Sequence, residues 1–244
     1  NKNWPRRLLV GFVSLGLILG AIAWYLHEPR PSGQSGPEAD ALARRMMAAV
    51  DCAAWDSLPA VAWTFAGQHD HLWDKERHLA RVQWGTNEVL LDINAKTGIA
   101  RVEGQEVTGE QKASLIDQAW KFWVNDAFWL NPVCKAFDPG TSRSLVPQPE
   151  GDAALMVSYS SGGATPGDAY LWHLGPDDRP EAWQMWVSVI PTGGMRSSWD
   201  NWQQLPGGAW VATSHEMGVT LALTDVRGGT LAELSPEGDP FATL

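Results

Sequence analysis

Three histidines, His69, His71 and His78, are the first residues whose types and spacing suggest chemistry. His69 and His71 stand two apart, so on a strand both rings project to one face, the beginning of a metal site. No third ligand follows at a matching spacing, and Asp70 and Asp74 read as solvated edge residues as readily as ligands. Acid–base chemistry would need two carboxylates in contrasting environments. Asp126, Asp138 and Asp168 adjoin Asn, Pro or Gly, where turn and cap roles account for them. Nucleophile elbows, phosphate-binding loops and dinucleotide fingerprints are absent from the sequence. Gly162-Gly163 and Gly193-Gly194 read as turns, without the strand-then-helix setting that such sites need. Cys52 and Cys134 have no CxxC or neighbouring histidine pattern; they read first as a disulfide, with two unpaired buried thiols as the other option. The residues point to a non-enzymatic protein without a resident metal or cofactor.

Tryptophan is the compositional outlier, at 15 of 244 residues. Its wide rings can fill the interior of a curved sheet, line an apolar cavity for a lipid or pigment, or mark a contact surface. Trp120, Trp123, Trp183 and Trp186 are the candidates for such a cavity. Net charge is −10, and an acidic surface repels phosphates, which excludes nucleic acid as a partner.

One ordered set of motifs is distinctive. The run Trp123-Val-Asn125-Asp126-Ala-Phe-Trp129-Leu precedes Lys135-Ala-Phe-Asp138-Pro-Gly140 and then Thr165-Pro-Gly-Asp168-Ala-Tyr170, with His71-Leu-Trp73 and Arg81 upstream. This pattern resembles an uncharacterised family of bacterial secreted or envelope domains and spans roughly residues 60–215. Asn131 and Cys134 stand where the family pattern has apolar residues, and an apolar anchor stands where relatives usually carry a cleaved signal. The resemblance implies a fold similar to the half-barrel of periplasmic lipoprotein carriers. It also implies a structural polar network through His71, Trp73, Asn125, Asp126, Trp129, Lys135, Asp138, Thr165, Asp168 and Tyr170.

The elements that must hold these residues follow from periodicity. Leu42, Met46 and Val50 recur at helical spacing between residues 37 and 55. Five strand-like segments fill 61–103, and Thr108-Gly-Glu-Gln111 has the spacing of a capping box that opens a second helix through Ile116, Trp120, Trp123 and Ala127. Period-two alternation returns after residue 150, with Trp183, Met185 and Val187 on one face, and gives six more strands. The predicted class is α+β: an N-terminal transmembrane helix, then a curved antiparallel half-barrel enclosing two or three helices.

Residues 8–26 carry no charge and would span about 28 Å as a helix, close to a bilayer core. Lys2, Arg6 and Arg7 precede them, so the expected arrangement is a cytoplasmic 1–7, an inner-membrane anchor 8–26, a Pro/Gly/Ser linker 27–37 and a periplasmic domain 38–244. Gly11, Ser14, Gly16 and Gly20 would allow close helix packing, with Trp24 and Tyr25 at the outer interface. The expected role is that of an accessory subunit in a multi-subunit membrane complex of photosynthetic or respiratory type, partnered by other subunits and the lipid bilayer. The alternative is a tethered carrier or sensor of a lipid or other apolar ligand.

Overall fold

The computed structural model describes residues 25–149, 151–161, 165–190 and 192–244. The predicted anchor lies outside these residues except for Tyr25 and Leu26, so Gly11, Ser14, Gly16, Gly20 and Trp24 are not placed. Among the described residues no helix is long and apolar enough to cross a membrane.

The amphipathic stretch after Gly36 forms α1 (Pro37–Ala49), and a separate short helix, α2 (Cys52–Ser57), follows it. Asp51 breaks the two apart: it takes a left-handed conformation, and its side chain accepts from the Ala54 N–H to cap α2. Next comes a meander, β1 (Ala60–Phe65), β2 (His69–Asp74), β3 (Leu79–Trp84), β4 (Asn87–Asp92), β5 (Thr97–Val102) and β6 (Gln105–Glu106). Its turns hold Ala66, His78, Lys96 and Glu103 at positive φ, so His78 shapes a turn rather than joining the other two histidines. Helix α3 (Gly109–Leu130) starts at Thr108, whose side chain makes no capping hydrogen bond. The expected capping box is therefore not formed there; one forms instead between Thr230 and Glu233 at α4 (Leu231–Leu234).

After a 3-10 turn at Val133–Lys135 come β7 (Thr141–Val146), β8 (Ala154–Tyr159), β9 (Ala169–Leu174), β10 (Pro180–Trp186) and β11 (Met195–Ser198), then β12 (Asp200–Gln204), β13 (Trp210–Glu216) and β14 (Thr220–Gly229). The class is α+β with antiparallel sheets. The strands divide into two sheets rather than one, and neither closes into a barrel: nine strands in the order β12-β13-β14-β1-β2-β3-β4-β5-β6, and five in the order β11-β10-β9-β8-β7. The chain changes sheet at Trp199, the single residue between β11 and β12.

Three helices bury one face of these sheets. Ile116 and Ala119 of α3 pack on Val82, Val89, Leu91 and Ala100. The end of the same helix, through Leu130, reaches Trp63, Val211 and Leu223. Ala39, Ala43 and Met46 of α1 cover Leu155, Val157 and Trp172 of the five-stranded sheet. Cys52 and Cys134 form a disulfide that ties α2 to the turn after α3.

The segment expected to be a free spacer is laid across the opposite face of the five-stranded sheet. His27 Nδ1 accepts from the Gly193 N–H at 3.0 Å, and Glu28 donates its own N–H to the Gly193 carbonyl at 2.9 Å. Trp186 Nε1 donates to the Glu28 carbonyl at 2.8 Å, Arg30 donates to Ser158, and Gln34 exchanges backbone hydrogen bonds with Leu145 on β7. The strap thus runs from β10–β11 past β8 to β7. Pro29 and Pro31 in its sequence suit such an extended path. Gly193 admits it, since a Cβ there would lie 2.3 Å from the Trp186 ring and 2.9 Å from the Glu28 carbonyl.

Candidate functional site

Two groups of polar residues meet at the C-terminal turn of α3. The first is a histidine–carboxylate lock. His69 and His71 point to the same side of β2 toward Asp126 on α3. His69 Nδ1 and His71 Nε2 each lie 2.7 Å from Oδ2 of Asp126, while Asn125 Nδ2 donates to Oδ1 at 2.8 Å. Asp126 and His71 are buried. Trp63 stacks on the His71 ring and Phe122 on the His69 ring, with centroids 4.4 and 3.8 Å away. Burial lowers the pKa of His71 against the opposing pull of Asp126, so a neutral ring donates to the carboxylate.

The three ligand atoms lie within 4.8 Å of one another and could surround a cation. The hydrogen bonding argues for a lock instead. The carboxylate accepts three hydrogen bonds as it stands, and a cation would open two of them. A metal on Nε2 would also place the proton of His71 on Nδ1, which is buried with no partner among the described residues.

The second group lines a cleft of about 670 Å³ between the end of α3 and the five-stranded sheet. Register builds its floor: Tyr170, Met185 and Met195 line the cleft in one row across three neighbouring strands, and Trp183 lines it from the next row, between Trp172 and Ser197. Strand alternation puts both rows on one face. Phe128 and Trp129 of α3 come down on that floor, with centroids 6.1 and 4.9 Å from Trp183. The buried Trp183 indole N–H has no partner among the described residues. Val187, Val189, Ile190 and Met217 add apolar wall.

The polar lining is confined to Asn125, Lys135, Asp138, Ser161, Thr165, Asp168 and the phenols of Tyr159 and Tyr170. Lys135 pairs with Asp138. Asp168 accepts from the Thr165 hydroxyl and, at 2.9 Å, from the Ser188 N–H. Burial pushes the pKa of Tyr159 upward, with Asp138 adding to the shift; burial and then the Asp168 carboxylate do the same for Tyr170. Both phenols therefore stay protonated, as potential donors.

The motif residues thus sort into two connected sets. His71 and Asp126 join the lock. Trp129, Lys135, Asp138, Thr165, Asp168 and Tyr170 line the cleft, and Asn125 belongs to both. Trp73 lies apart, edge-on to Trp123 at 5.3 Å and to Trp55 at 6.3 Å. Of the four tryptophans expected to share a cavity, Trp183 alone lines this cleft. Trp120 meets Lys96, whose Nζ sits 3.3 Å above its ring, and Trp123 packs beneath Trp73. Trp186 is three residues from Trp183, so it points to the other face of β10, under the strap.

The sequence reading missed His69 in the lock and Phe128, Tyr159 and Met195 in the cleft. The spacing of His69 and His71 was a usable signal. No spacing pairs Tyr159 with Phe128, which register and helix rotation bring to 5.8 Å. No protein-family model matches the chain, and no curated protein matches it either.

Proposed function

We propose that the chain is a membrane-tethered, non-enzymatic binding protein that holds a lipid or other apolar ligand in the cleft beneath the end of α3. The observation that carries this reading is convergence: six residues of the ordered motifs besides Asn125, together with Trp183, line one aromatic cleft. Its size suits a small-molecule site, and so does its makeup of apolar walls with a few polar groups. Lys135, Asp138 and Asp168 are engaged by neighbours on the protein, which favours a site that orients a polar end over one that performs acid–base steps.

The tether is residues 8–26, preceded by Lys2, Arg6 and Arg7. The disulfide supports an oxidising, extracytoplasmic side for the domain. Membership of the envelope-domain family, and the half-barrel likeness to lipoprotein carriers, belong to this proposal.

A second reading has its own support. In an accessory subunit of a multi-subunit membrane complex, the domain would brace its neighbours, and the strap suits that role because it fixes the domain to the chain leaving the bilayer. Purifying the native protein from its membranes in mild detergent, with mass analysis of co-migrating proteins and extracted lipids, separates the two. A stoichiometric apolar molecule that is lost in Val187→Trp, which narrows the cleft, supports the binding protein. Stoichiometric protein partners without such a molecule sink that reading and establish the subunit.

A further inference from the structure

The cleft has an edge that the chain itself marks. Val187, Val189 and Ile190 line the cleft and belong to the loop joining β10 to β11. That loop is closed at its base by the Gly194 N–H donating to the Met185 carbonyl. Val189 is 74% exposed, among the most exposed large apolar side chains described. The residues that bond to the same loop are His27 and Glu28, through Gly193. Directly before them stand Leu26 and Tyr25, also exposed, and before these the uncharged run that begins at Leu8.

We propose that residues 187–190 dip into the leaflet of a phospholipid bilayer next to the tether, so that the cleft opens onto the acyl chains rather than onto water. The proposal rests on the tether reading above. Two independent features place the bilayer at this loop. The first is distance along the chain: Leu26 is the last residue of the apolar run, and the next residue already holds Gly193, so the exit from the membrane is pinned to the loop rather than linked to it by a flexible spacer. The second is chemistry: an exposed valine beside a half-buried isoleucine suits the acyl boundary, and Tyr25 suits the headgroup layer, where aromatic residues collect. An amphiphile could then enter the cleft tail-first from the leaflet and leave its polar end near Lys135, Asp138 and Thr165.

The test uses the full chain carrying Val189→Cys. Cys52 and Cys134 are bonded to each other, so the new thiol is the only one open to an environment-sensitive fluorophore. The labelled protein is reconstituted alone into vesicles of phosphatidylcholine and phosphatidylglycerol, and Asn94→Cys, in the β4–β5 turn, serves as the comparison. The expected result is about a two-fold loss of emission at position 189 with nitroxide-bearing lipids and little loss with aqueous iodide, with the reverse at position 94. Carbonate extraction of the same vesicles reports the tether separately. A chain that carbonate releases overturns the tether and this proposal together. A retained chain whose label at 189 is quenched by iodide and not by nitroxide lipid overturns this proposal alone, and leaves the loop to be covered by a protein neighbour.

Discussion

Asp126 is a buried carboxylate whose neighbours all donate to it, and this makes it sensitive to a change that barely alters its shape. Asp126→Asn leaves at best a neutral carbonyl where a carboxylate accepts from both histidines, and it turns its amide N–H groups toward the Asn125 amide, so all three charge-assisted hydrogen bonds are weakened or lost. The expected cost is about 2 kcal/mol of unfolding free energy, measured by urea denaturation, and EDTA should leave the stability of the unmodified protein unchanged. His215 is the second revealing residue. It is fully buried, its ring 4.3 Å from that of Trp199, and among the described residues it bonds only the Ser198 carbonyl. Burial lowers its pKa from 6.5 to about 4, against weaker opposing pulls from Ser198 and Asp200. Between those values the unfolded chain binds a proton that the folded chain refuses, so stability rises with pH across that window. His215 should therefore cost about 3 kcal/mol of stability as pH falls from neutral to 4. His71, also lowered by burial, acts in the same sense. Denaturation curves across this range should show the slope, and His215→Asn should flatten it by the share of one proton.

At the level of elements, the disulfide and the strap do different work. Closing 82 residues between Cys52 and Cys134 constrains the unfolded chain by about 4.5 kcal/mol in the loop-entropy account. Replacing both cysteines by serine should lower the unfolding free energy by roughly that amount, read from calorimetry or urea titration. The strap depends on a glycine. Gly193→Ala would drive a methyl into Trp186 and the Glu28 carbonyl, and the expected result is faster amide exchange at Glu28 and Gln34 with the amides of α3 unaffected. Helix α3 was readable from Ile116, Trp120 and Trp123 because a three-turn apolar stripe is a local property of sequence. Strand β7 was not: Thr141–Val146 is mostly half-buried and shows no alternation. Nor was the strap, since Arg-Pro-Ser-Gly has the composition of a linker and only the partners on β8, β10 and β7 turn it into a covering layer.

For the whole molecule, the division into two sheets explains why the site was only half legible. The ordered motifs named most of the polar residues of the cleft, and their types and order carry over into one place. The apolar half of the site comes from register, which sets Tyr170, Met185 and Met195 in one row, and a single sequence does not state register across separate hairpins. Strand order has a further consequence for how the protein comes into being. β14, among the last elements of the chain, is inserted between β13 and β1 as the third strand of the nine-stranded sheet. Until residues 220–229 have been synthesised, the first meander presents a bare β1 edge, so the nine-stranded sheet cannot be completed before its last strand is made. A chain cut before residue 220 should therefore expose the β1 edge to pairing with a second copy, which light scattering of the truncated protein would show.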